Sequence, residues 1–300
     1  MSYIEYFDLV MEPFSNAPDA RFYFDSDQHS QALVRLMYAV NSNKGLAVLV
    51  GGVGTGKTTL ARRMLDTLDE SKYESSMLVM VHSGIDPEWI LTRIAMQLGI
   101  QDPATDRLTV LKQLYERLLE INSQGRKAVI LIDEAQMLQS RELMEEFRGL
   151  LNLEIPGQKL INIVFFGLTE IEDCLRLDEP LAQRVAVKYN LGSFDLELTT
   201  RYVNHRLKVA GAKRALFDHQ AIQTVHNYSG GVPRLINTIC DNCLFETHMQ
   251  KSNQVIPKIV DSVAGDLGLL KRPTSDMPDS LVEDDDFDEI EDMLDQLEQK

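Results

Sequence analysis

Residues Gly51 to Thr59 read GGVGTGKTT and lie between an apolar run, Leu46 to Val50, and a helix-like stretch that starts at Leu60. They fill the phosphate-binding pattern G-x-x-x-x-G-K-[ST] with Gly51, Gly56, Lys57 and Thr58. In such a loop the glycines let successive backbone N–H groups turn inward around phosphate oxygens. Gly51, Gly52, Val53, Gly54, Thr55, Gly56 and Thr59 are therefore expected nucleotide contacts. Lys57 adds a point charge at the β- and γ-phosphates, and Thr58 offers a hydroxyl to Mg²⁺. An ordinary glycine-rich turn needs neither the lysine nor a strand in front of it. The strand–loop–helix context is what makes ATP with Mg²⁺ the expected ligand pair.

Working outward, the apolar runs Leu46–Val50, Met77–Val81, Ala128–Ile132 and Ile161–Phe166 read as strands. Longer helical patterns separate them: Leu60 to Leu68, Glu88 to Leu98, Thr109 to Asn122 and Arg141 to Leu153. Short continuous apolar strands alternating with helices predict an α/β fold with a parallel sheet covered by helices on both faces. After Tyr189 strand signals give way to helical stretches at 197–209, 218–228, 233–250 and 257–267, a small all-helical domain. The expected division is 1–190 for the P-loop α/β domain with an aromatic-rich N-terminal segment, 191–268 for the helical domain, 269–282 for a linker and 283–300 for an acidic tail.

Charge is uneven. The formal net charge of −16 concentrates in 283–300, which holds ten acidic residues and one lysine, leaving 36 acidic against 29 basic residues elsewhere. Neither part has the basic balance of a dedicated duplex-DNA binder, so DNA is a less favoured partner. Phe287, Ile290, Met293, Leu294 and Leu297 recur at helical spacing in the tail, which reads either as a disordered solvated segment or as a short amphipathic helix for a partner protein. No window approaches the length of a membrane span, and the opening MSYIEYFDLVMEPF has neither the basic start nor the long apolar core of a secretory signal, so a cytoplasmic protein is expected. Cys174, Cys240 and Cys243 form no disulfide framework, and the lone C-x-x-C at 240–243 lies in a helical run, where buried reduced thiols are expected. The six histidines show no metal-ligand spacing.

The stretch AVILIDEAQ, 128–136, delivers Asp133 and Glu134 to the carboxyl end of the sheet, where ligands bind in open α/β folds. The first acid suits Mg²⁺ and the second suits taking a proton from an attacking water. An N-cap after a buried strand would also use these residue types. Paired with the P-loop about 75 residues earlier, they point to ATP hydrolysis rather than binding alone. Arg184 in EPLAQRVAVKY and Arg234 in SGGVPRLIN are placed to read a γ-phosphate, from a neighbouring subunit or from a hinged lid; surface ion pairs are the plainer alternative.

In this order and spacing, the P-loop, AVILIDEAQ and G-V-P-R resemble an AAA+ ATPase, specifically the ATPase domain of the general secretion pathway protein A (secretion ATPase) family, with similarity to the related transposition-helper ATPases. YFDLVMEPFSNAPDARFYF (6–24 in its core), FRGLLNLE (147–154), HRLKVAG (205–211) and GGVPRLINTICDNCL (230–244) follow that family's patterns. The resemblance implies an AAA+ P-loop domain followed by a helical lid. It implies that Lys57 and Thr58 bind phosphate and Mg²⁺, that Asp133 supports Mg²⁺ and that Glu134 is the catalytic base. It makes Arg234 the nucleotide-sensing lid arginine, Arg184 the trans-acting finger, and a homo-oligomer the working state. The family's polar sensing residue lies in a Gly-Gln-Pro-Glu segment, matched here by Gly167, Leu168, Thr169 and Glu170. Leu168 cannot hydrogen-bond a phosphate, so slow hydrolysis is expected, with Thr169 or Asn152 as substitutes. Secretion members also continue into a transmembrane helix and a periplasmic region that this sequence lacks, which favours a cytoplasmic switch acting on other proteins. Two alternatives stay open: a DNA-associated regulator using Lys208, Lys213 and Arg214, and a weakly hydrolysing ATP-bound adaptor. Phe14, Phe22 and Phe24 are candidates to line the adenine pocket.

Overall fold

The computed structural model describes residues 2–17 and 19–270; the acidic stretch 283–300 and the linker from 271 onward lie outside them. The strands are β1 (Leu46–Gly51), β2 (Tyr73–Val79), β3 (Lys127–Asp133), β4 (Glu154–Ile155), β5 (Gln158–Lys159), β6 (Ile161–Gly167) and β7 (Val185–Leu191). Five of them form one parallel sheet in the order β2-β3-β6-β1-β7, while β4 and β5 make a small antiparallel hairpin.

Helices α1 (Tyr3–Tyr6), α2 (Asp27–Asn41) and α3 (Lys57–Thr67) precede β2, and α4 (Pro87–Gln97) and α5 (Arg107–Ser123) lead to β3. Next come α6 (Arg141–Leu150), α7 (Ile171–Arg176) and α8 (Glu179–Ala182), and then, after β7, α9 (Leu196–Val209), α10 (His219–Ser229), α11 (Pro233–Met249) and α12 (Pro257–Asp266). Many start where a short polar side chain caps them: Ser26 accepts from the His29 N–H, Asp86 from Trp89, Asp106 from Thr109, Asp195 from Leu198 and Asp218 from Ala221.

The central strands are apolar on both faces because each face has its own helical cover. Leu46, Val48, Val50, Ile130, Ile132, Ile163 and Phe165 pack into the core under α4, α5 and α6. The intervening Ala47, Leu49, Val129, Leu131, Val164 and Phe166 pack under α2 and α3. That alternation is the period-2 geometry of a strand read against two cores.

The two edges are where the strand expectations miss. β7 is absent from them because VAVKYNL alternates, with Ala186, Lys188 and Asn190 exposed, and a search for continuous apolar runs passes over it. β2 begins at Tyr73 rather than Met77, since an edge strand tolerates Glu74, Ser75 and Ser76. The aromatic N-terminal segment, grouped with the sheet by sequence order, packs elsewhere. Phe7, Leu9, Phe14 and Phe22 share a third core with Tyr202, Leu207, Ile236 and Val260 of the helical region.

Candidate functional site

β1 ends at Gly51 and α3 begins at Lys57, so residues 52–56 turn over the carboxyl end of the sheet. The Thr55 hydroxyl donates to the Gly52 carbonyl at 3.0 Å and tightens the loop. Lys57 is buried, and its ammonium donates to the carbonyls of Gly51 and Gly52 at 3.0 and 2.9 Å. Burial pushes its pKa down, while the carboxylates of Glu134, Asp133 and Glu170 pull the other way. Gly54 has φ 77°, and a Cβ there would stand 2.8 Å from the Cβ of Arg234. Glycine thus lets the start of α11 rest on the loop, where the Arg234 N–H donates to the Gly54 carbonyl at 3.3 Å.

Asp133 closes β3, one strand removed from β1, and is 1% exposed. The Thr58 hydroxyl donates to its Oδ2 at 2.7 Å, and the Glu134 N–H donates to its Oδ1 at 3.0 Å. Burial raises the Asp133 pKa, and these two hydrogen bonds oppose the rise. Glu134 takes a left-handed backbone (φ 55°) and starts a 3₁₀ turn, Ala135–Met137. That conformation sends its side chain to the wall of the cleft, alongside Lys57 and Thr58.

The cleft holds about 380 Å³ and lies between the P-loop, the N-terminal segment and the helical region. Of the three phenylalanines considered for the adenine pocket, Phe22 and Phe24 line the cleft and Phe14 does not: it is buried edge-on against Phe217, 6.0 Å away, inside the helical core. Sequence reading missed Tyr23, His29, Tyr202, Arg206 and Asn237, which also line the cleft. His29 is buried at the start of α2, with Nδ1 2.6 Å from the Ser26 hydroxyl, and burial lowers its pKa. Arg206 is 5% exposed; it donates to the Pro13 and Ser15 carbonyls at 2.6 and 2.9 Å and to the Tyr202 hydroxyl at 2.9 Å. Its guanidinium lies 4.7 Å from the Phe22 ring centroid. A side chain in the HRLKVAG segment thereby straps the N-terminal residues onto α9; only the match of that segment to a family pattern marked it.

Arg234 lines the cleft with its side chain exposed. Arg184 stands elsewhere, at the start of β7, donating to the Asn152 side chain at 2.7 Å and the Arg148 carbonyl at 3.2 Å. Asn152 is thus engaged outside the cleft, and Thr169 is exposed beyond its lining; only Leu168 of the segment after β6 borders it. Neither polar residue takes the place expected of it. Cys240 and Cys243 are buried free thiols in α11 whose pKa values burial raises. Among the described residues no cluster of His, Cys, Asp or Glu could hold a metal by itself, and no helix is long and apolar enough to cross a membrane.

A P-loop at the end of β1, an acidic pair at the end of β3, a five-stranded parallel sheet and a helical C-terminal region give the chain the α/β fold of the AAA+ ATPase class. Residues 40–175 match the AAA domain family. Within the class it is related to general secretion pathway protein A of Aeromonas hydrophila, with 34% identity over 257 residues, 85% of this chain and 46% of that protein. The chain therefore spans about half the length of the curated relative it matches. Among solved structures, Cdc6p from Pyrobaculum aerophilum superposes with a TM-score of 0.68 at 18% identity, over 86% of this chain and 72% of that one. The ORC2 protein of Aeropyrum pernix, solved as ADPNP-ADP complexes, gives 0.64 at 15% identity, over 85% and 71%. At those identities the likeness concerns the fold alone.

Proposed function

We propose that the chain binds ATP in the cleft between the parallel sheet and the helical lid, hydrolyses it slowly, and uses the cycle as a conformational or assembly switch on partner proteins in the cytoplasm. The observation that carries this reading is the convergence of Lys57, Thr58, Asp133 and Glu134 at one end of the sheet, with Arg234 across the cleft. Thr58 and Asp133 present hard oxygen donors 2.7 Å apart, a donor set that suits Mg²⁺. Bound there, the ion would neutralise charge on the β- and γ-phosphates.

Lys57 and the inward N–H groups of 51–59 hold the phosphates. Glu134 takes a proton from a water whose oxygen attacks the γ-phosphorus, and the bond to the β–γ bridging oxygen breaks, leaving ADP and phosphate. Arg234 draws the lid toward the γ-phosphate. Among the described residues Arg184 donates to one carbonyl and one amide oxygen and closes no ion pair, although the Glu154 carboxylate feels its charge; in this reading the guanidinium turns to a neighbouring subunit's phosphate. The acidic stretch 283–300 recruits a partner protein.

The reading is tested with Lys57→Ala, expected to lose nucleotide binding, and Glu134→Gln, expected to bind ATP but not turn it over. Full ATPase activity in either variant would sink it. Specific activity that rises with protein concentration in the wild type, but not in Arg184→Ala, supports the shared site. Concentration-independent activity favours an ATP-gated monomeric adaptor. Lys208 in the last turn of α9 and Lys213 and Arg214 just after it are exposed, so a second reading, DNA-dependent assembly, is tested by ATP-dependent gel shifts across a salt series.

A further inference from the structure

Gln136 is 4% exposed, two residues past Glu134, and both ends of its amide are engaged. Its Nε2 donates to Glu134 Oε2 at 2.6 Å, and its Oε1 accepts the Leu168 N–H at 3.0 Å. The orientation of the amide is forced. A backbone N–H can only donate, so the oxygen must face Leu168 and the NH₂ must face the carboxylate. Gly167 leaves the space for this: a Cβ there would come within 3.2 Å of Gln136 Oε1. The Gln136 carbonyl is itself within reach of the Cys174 thiol at 3.6 Å, so the turn is held from α7 as well.

One buried side chain therefore ties the Glu134 carboxylate to the main chain at the end of β6. Leu168 borders the cleft but brings no polar side-chain atom, and Asn152 and Thr169 do not line it. Glu134 otherwise has freely turning side-chain bonds at the cleft wall. A hydrogen bond to a charged carboxylate selects one of its rotamers, and displacement of a reacting group by about 1 Å can cost ~100-fold in rate. We infer that Gln136 is a positioning residue for hydrolysis, fixing the Glu134 carboxylate and coupling it to the segment after β6 through the Leu168 N–H. The inference rests on Glu134 being the water-activating base.

Two variants test it. Gln136→Met keeps the buried volume and removes both hydrogen bonds. Gln136→Glu keeps an acceptor for the Leu168 N–H and loses the donor to Glu134. Both are expected to lower kcat about 10- to 100-fold while KM and nucleotide affinity stay within about twofold of wild type. In single-turnover reactions, Glu134→Gln with Gln136→Met should be no slower than Glu134→Gln alone, because the second change acts only through the first residue. Unchanged kcat in both variants, losses that multiply in the double variant, or a loss spread equally over nucleotide binding and melting temperature would overturn the inference. Hydrolysis by Glu134→Gln at the wild-type rate, rather than the slow residual reaction this comparison uses, is a separate outcome, and it would remove the base assignment rather than the role of Gln136. Should Gln136→Met fail to fold, the kcat-against-KM split in Gln136→Glu decides.

Discussion

The Thr58 hydroxyl donates to Asp133 Oδ2 across 2.7 Å, although 75 positions separate the two residues in sequence. The bond joins the first turn of α3 to the end of β3 and holds two ligand-type oxygens together. It does so at a cost, since Asp133 is almost fully buried and burial raises its pKa above the ordinary carboxylate value. A carboxyl raised in the folded state destabilises the fold above its folded pKa, and this penalty is gone below the unfolded value near ~3.9. Asp133→Asn keeps an acceptor for the Glu134 N–H. At pH 7 it should melt at the same temperature as wild type or be more stable by up to ~1 kcal/mol, the difference closing as pH falls toward 4. Hydrolysis dependent on Mg²⁺ should be lost. Thermal melts at several pH values, beside ATPase assays, check both halves.

Gly231 stands just before α11 with φ 71°, and a Cβ there would lie 1.8 Å from the Phe194 carbonyl oxygen. The Phe194 N–H also donates to the Gly231 carbonyl at 2.8 Å, so neither chain can retreat without breaking the other's bond. Gly231→Ala is expected to cost more than ~3 kcal/mol in urea unfolding and to move Arg234 out of the cleft. Wild-type stability in this variant would contradict the packing.

Arg206 is a buried guanidinium that holds the N-terminal segment to α9 through two carbonyls. Arg206→Ala should cost about 2–4 kcal/mol and speed amide exchange across 13–22. Arg206→Lys keeps the charge but not the planar fork, so it should recover less than half of the loss. Recovery to wild-type stability would show that charge alone matters.

His29, His205 and His226 all have pKa values lowered chiefly by burial, against opposing contributions from Asp25 at His29 and Asp195 at His226. A histidine lowered in the folded state binds its proton more readily when unfolded. Its contribution is therefore intact above the unfolded value of ~6.5 and falls away as pH drops toward the folded value. Melting temperature should be level from pH 8 to 7 and decline below about 6.5, with a shallower decline in His29→Gln. A decline of equal slope in that variant would remove His29 from the account.

How much was legible in the chain follows from how locally each feature is encoded. The P-loop, the acidic pair after β3 and the central strands were readable because contiguous residues specify them: glycines and a lysine at set spacing, and apolar runs wrapped on both faces. β7 and the start of β2 were not, because edge strands are covered less and carry polar residues that break the run. Tertiary structure decided what joins the P-loop, Glu134 and Arg234 in the cleft. Phe14 turned into the helical core because Phe217 and its neighbours offered a fully apolar site, while Tyr23, His29, Tyr202 and Arg206 came to the cleft from separate segments. The amide of Gln136 reads in sequence as the tail of a motif. Only the closing of β6 beside β3 brought the Leu168 N–H to it, and a hydrogen bond between groups 32 residues apart depends on how the strands are ordered in the sheet, which no local pattern records.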